Sequence, residues 1–197
     1  KPDVVIPNAD QVLLADIDDK KSVEEFIAQY KAGKGEYATR LLAIDAMVDA
    51  QATNPKATEA LLEALNDPFD GLRIYTINKL DPASKPLMDK ASTKLKQLAS
   101  NDPKTLVQAA ALSLLNEANV FDAAIYEKAV KSPSYSVQGA ALTGIVKNNP
   151  AKINELIKNV DDEVIKSSSD LAMILLPTWI KNNQLDKTPL VAESAAV

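Results

Sequence analysis

The chain has 197 residues, with 22 Lys and Arg against 27 Asp and Glu, a formal charge of -5, 46% hydrophobic residues and only 5 Gly. That balance describes an ordered globular protein and offers no basic footprint for nucleic acid. Histidine and cysteine are both absent, which excludes disulfides, Ser-His-Asp and Cys-His mechanisms and the common zinc ligand sets, and leaves the compartment, cytoplasm or an exported space, open.

The first stretch, DVVIPNADQVLLADID, has two β-rich runs, Val4 to Ile6 and Val12 to Ile17, around a Pro-Asn-Ala-Asp cluster. The pattern predicts a short strand pair. Residues 1–19 therefore read as the end of a preceding β-domain or a linker. Asp16, Asp18 and Asp19 lie close together there, but an EF-hand needs Gly at loop position six and Glu at twelve, where this chain has Lys21 and Ile27. Acidity ahead of a helix N-terminus is the simpler reading.

From residue 20 the chemistry turns helical, and residues 20–197 read as one helical domain cut short at its C-terminal end. Ser22 and Glu25 have capping-box spacing, and Phe26, Ile27 and Tyr30 follow as an apolar stripe. Later helices are announced by Asn54-Pro55, Asp67-Pro68, Asp102-Pro103 and Ser132-Pro133, each read as a cap followed by proline at the first helical position. The segments beginning at Lys34, Asp67, Asp102, Ser132 and Asp161 align, with starts 33, 35, 30 and 29 residues apart. A period near thirty residues marks a repeat architecture.

The copies agree where packing requires it. Ten residues into each stands Ile44, Ile77, Leu112, Leu142 or Leu171, and three further on Met47, Leu80, Leu115, Ile145 or Ile174. These form an apolar ridge on one helical face. Beside it, Ala43, Ala111 and Ala141 are small enough for close helix approach. Helices of similar length lie between the copies, at 54–65, 85–100, 120–130 and 150–160. Stacked antiparallel helix pairs satisfy this order, an all-α solenoid, with an irregular bundle as the alternative.

The string Asp67, Leu72, Arg73, Ile77, Leu80 resembles the HEAT repeat, a helical repeat related to armadillo. In that family the aspartate and the arginine six residues later form a ladder from repeat to repeat. Arg40 holds the arginine place one repeat earlier. The pairs Asp102 with Gln108, Ser132 with Gln138 and Asp161 with Ser167 depart from the pattern, so the ladder is expected to become neutral. Arg73 and Arg40 are read as helix-holding residues; recognition of a peptide carboxylate is the functional alternative.

A narrower resemblance lies in FIAQYKAGKGEYATRLLAIDAM, through Phe26, Gln29, Tyr30, Tyr37, Arg40, Ala43 and Ile44. It is similar to the start of the C-terminal helical domain of aminopeptidase N type zinc metallopeptidases, and the likeness extends over residues 10 to about 182. In that family, H-E-x-x-H with a distant Glu binds zinc, and a Gly-x-Met-Glu-Asn segment holds the substrate amine. This chain has neither. The resemblance thus implies no catalytic residue, metal or cofactor here, zinc in a separate catalytic domain, and a role in covering the peptide cleft. It implies as partners the upstream catalytic and β-domains of the same polypeptide and the peptide substrate. A HEAT scaffold for an unrelated protein partner is the other reading.

Two late features complete the sequence. Trp179, after Pro177, reads either as an interface anchor or as a core aromatic at a helix kink. Ser167, Ser168 and Ser169 have no base nearby and read as small packing residues. The longest apolar run, LAMILL at 171–176, is too short to span a membrane.

Overall fold

The computed structural model describes residues 4–6, 19–33, 36–157, 161–166 and 169–194. No strand occurs among them: residues 4–6 have no regular structure, and the second expected strand, 12–17, lies outside the described residues. Asp16 and Asp18 also lie outside them. The chain divides into two compact units, Lys1–Ala91 and Ser92–Val197, with the division inside one helix.

The first unit opens with α1 (Val23–Ala32), where Ser22 and Glu25 form the expected capping box. It continues with α2 (Tyr37–Asp49), α3 (Pro55–Ala64) and α4 (Asp70–Lys79), and contains the first part of α5 (Lys85–Asn101). In α3, Asn54 accepts a hydrogen bond from the Lys56 N–H and Pro55 takes the first helical position. Its Ala57, Ala60, Leu61 and Ala64 have helical i, i+3, i+4, i+7 spacing and are all buried. Each helix from α1 to α3 packs on the next, and α1–α3 and α2–α4 are also in contact. Neighbours along the chain and neighbours one helix removed thus share one core.

The second unit holds the rest of α5, then α6 (Thr105–Glu117), α7 (Ala123–Ala129), α8 (Tyr135–Asn148), α9 (Ile153–Leu156), α10 (Asp162–Lys166), α11 (Ser169–Lys181) and α12 (Pro189–Ser194). Of the expected 150–160 helix, Pro150–Lys152 form a 3-10 turn and Ile153–Leu156 a short α-helix, and 158–160 lie outside the described residues. Helix α8 is the hub, packing on α6, α7, α10 and α11. Asn119 and Asn183 both adopt φ of 56°. There the Val120 N–H bonds the Leu115 carbonyl and the Gln184 N–H bonds the Trp179 carbonyl, so asparagine in the left-handed region closes α6 and α11.

The Asp-Pro signals work differently from simple caps. Helices α4, α6 and α8 begin three residues after Asp67, Asp102 and Ser132, at Asp70, Thr105 and Tyr135. Asp67 and Asp102 carboxylates accept from the Phe69 and Lys104 N–H groups at 2.8 and 2.9 Å, and the Ser132 hydroxyl from Ser134 at 3.2 Å. These are side-chain turns that aim the chain into each helix. The actual N-cap residues Phe69, Lys104 and Ser134 make no side-chain cap bond.

The ridge lies where the alignment puts it. Ile44, Met47, Ile77, Leu112 and Leu171 are fully buried, Leu80, Leu115, Leu142 and Ile145 nearly so or fully, and Ile174 half-buried. Ala43, Ala111 and Ala141 are 0% exposed. The described residues of the fifth copy lie in α10 and α11. Ser169 opens α11 and is exposed, which corrects its expected packing role, while Ser167 and Ser168 lie outside the described residues. Trp179 is 2% exposed, a core residue, and α11 continues through Pro177.

Candidate functional site

The most developed polar cluster in the first unit surrounds Asp67. Helix α1 presents Gln29 and Tyr30; α2 presents Arg40; the turn before α4 presents Asp67. The Tyr30 hydroxyl donates to Asp67 Oδ2 at 2.9 Å, and Arg40 Nη1 donates to both carboxylate oxygens at 2.5 Å. The Asp67 side chain is 1% exposed and that of Arg40 8%. Arg73, six residues on, donates from Nη1 to the Asp67 carbonyl at 2.7 Å and to the Pro68 carbonyl at 3.3 Å. The arginine of one aligned segment thus meets the aspartate of the next, and Arg73 donates to the backbone of the same turn.

The neighbouring motif residues support this rung. Gln29, 2% exposed, donates to the Thr39 carbonyl at 3.0 Å and accepts from Lys21 Nζ at 2.6 Å. Lys21 also lies over the Phe26 ring at 5.6 Å. Ala43 and Ile44 occupy the core beside Arg40 in sequence, whereas Tyr37 is exposed and meets Phe69 edge-to-face at 5.2 Å. Burial first, and then the hydrogen bond to Asp67, push the Tyr30 phenol well above its ordinary range, so it acts as a donor at neutral pH.

Gln108 Nε2 donates to the Asp102 carbonyl at 2.6 Å, the same six-residue closure that Arg73 makes on Asp67. Gln138 makes no side-chain hydrogen bond among the described residues and lines an open cleft of about 460 Å³ with Val130, Lys131 and Leu156. Gln108 lines another of about 310 Å³ with Ile125 and Lys128. Both are shallow and mixed in polarity, with Lys152 paired to Glu127 at the first.

Other bonds also join residues about one period apart. The Tyr75 hydroxyl donates to Asp45, 30 residues away, and Gln51 donates to the Lys79 carbonyl, 28 away, at 3.0 Å. In the second unit Lys147 Nζ donates to the Asn116 carbonyl, 31 away, at 2.9 Å. The bond to Asp45 pushes the Tyr75 phenol up to about 12. Sequence reasoning missed Asp45 and Tyr75, although their spacing by one period was the signal that could have paired them.

Chemically, the Asp67 rung is a closed bond. Its carboxylate accepts from a phenol, a guanidinium and a backbone amide while hidden from solvent, so no substrate atom can reach it. No group of three or more His, Cys, Asp or Glu among the described residues is arranged to hold a metal. No described helix is long and apolar enough to cross a membrane. No protein-family model, curated protein or solved structure matches the chain.

Proposed function

We propose that the chain is a noncatalytic α-solenoid of HEAT-like repeats, serving as the C-terminal domain of an aminopeptidase N type zinc peptidase. Its task there is to cover the active-site cleft and restrict which peptides enter. The observation that carries this reading is the convergence of Tyr30 and Arg40, two residues of the resemblance string, on the Asp67 of the following copy. The string Phe26 to Ile44 then serves to join successive helices. The absence of His and Cys agrees with a noncatalytic role.

The test is the coding sequence upstream of Lys1, which is expected to contain H-E-x-x-H and a distant glutamate ligand. A gene without them overturns the peptidase assignment. The isolated chain is expected to bind no stoichiometric zinc and to release no amino acid from aminoacyl substrates. A scaffold for an unrelated protein is the second reading, favoured by the exposed aromatic pair Tyr37 and Phe69. A pull-down that retains a specific foreign protein, together with a gene lacking the zinc motif, selects it.

A further inference from the structure

We propose that the exposed face shared by α2 and α4 is a docking surface for an arginine-bearing peptide segment of a partner protein. On α2, Tyr37, Asp45 and Asp49 recur at multiples of four residues and fall on one stripe; on α4, Gly71, Tyr75 and Lys79 do the same. The Tyr75–Asp45 hydrogen bond ties the stripes together. The Phe69 ring lies against Gly71, where an added Cβ would come within 2.6 Å of it, and Tyr37 meets that ring edge-to-face. Tyr37 is 44% exposed, Phe69 46% and Leu42, alongside, 54%.

Charge complementarity selects the occupant. Glu36, Asp45, Asp49 and Asp70 fringe the aromatic surface, and none is in an ion pair among the described residues. The cation already present, Lys79, sits over the Tyr75 ring at 5.5 Å. The surface thus makes with its own lysine the contact it offers a ligand, while the Tyr37–Phe69 pair is left open. A guanidinium stacks on aromatic faces and pairs with carboxylates in the same plane. A second copy of this chain is a poor occupant, because its two arginines, Arg40 and Arg73, are 6% and 8% exposed. The inference does not rest on the peptidase reading.

The test is an NMR titration of the full chain with a blocked Ala/Ser peptide carrying two arginines, beside the same peptide with citrulline. The ring signals of Tyr37, Phe69 and Tyr75 are expected to shift at roughly millimolar peptide or below, with binding at least about tenfold weaker for citrulline. The Asp49→Asn, Asp70→Asn double variant is expected to weaken arginine-peptide binding several-fold, by the loss of two carboxylates, with an unchanged circular dichroism spectrum. Ring signals that stay fixed, equal binding of the citrulline peptide, or shifts confined to the second unit overturn the proposal.

Discussion

Replacing Asp67 with alanine tests whether the rung is a structural bond. The change leaves the Arg40 guanidinium 8% exposed with no carboxylate, and strips an acceptor from the Tyr30 hydroxyl and the Phe69 N–H. Breaking a buried pair by removing one partner costs about 3–5 kcal/mol, because a desolvated charge stays behind. Urea unfolding followed by far-UV circular dichroism measures it. Removing both charges, as Arg40→Met with Asp67→Leu, is expected to cost much less than the sum of the single changes. A loss below about 1 kcal/mol for Asp67→Ala, or strict additivity in the double variant, would refute the reasoning.

Glycine replacements should separate two kinds of space. At Gly144 a Cβ would run into the Tyr126 ring and Asn116 Oδ1, so Gly144→Ala is expected to cost about 1–3 kcal/mol in urea unfolding. At Gly71 it would meet the exposed Phe69 ring, which can swing away, so Gly71→Ala should be within about 1 kcal/mol of the parent. In an absorbance titration, the Tyr75 phenol is expected to ionise near pH 12, above its ordinary 10.0, and Tyr75→Phe to remove that step. Because folding raises this pKa, the stabilisation from Tyr75 is complete below pH 10 and is lost as the pH rises towards 12. A single ordinary midpoint for all phenols would contradict the Tyr75–Asp45 bond. Trp179→Ala should cost about 3–5 kcal/mol in the same unfolding assay, and a near-neutral result would remove Trp179 from the core.

The periodic part of the fold was legible because burial imposes it. Ile44, Ile77, Leu112 and Leu142 share one alignment column and are 0% exposed, since each copy must turn the same ridge inward. The Ser22–Glu25 box was legible for the same local reason. Where one side chain has two uses, the sequence was ambiguous: Asp67 read as a cap, yet its carboxylate serves the turn two residues on and the neighbouring copy's arginine. Tyr37 belonged to a packing string but is exposed, because its partner Phe69 comes from a turn 32 residues away.

The Asp67 rung shows what a buried charged bond contributes here. A buried ion pair is weak evidence for stability, because apolar residues of similar volume often do as well. The turn itself needs no charge: Gln108 closes on the Asp102 carbonyl just as Arg73 closes on that of Asp67. What Arg40 and Tyr30 add is a bond from α1 and α2 to the turn of the next copy, satisfied only when those two helices and that turn hold one register. A helix displaced by one residue would rotate by roughly 100° and carry its donor away from the buried carboxylate. Apolar contacts tolerate such sliding better than a hydrogen-bonded charge does. The Asp67 rung therefore specifies how α1 and α2 meet the following copy, and register is the property its removal should loosen first.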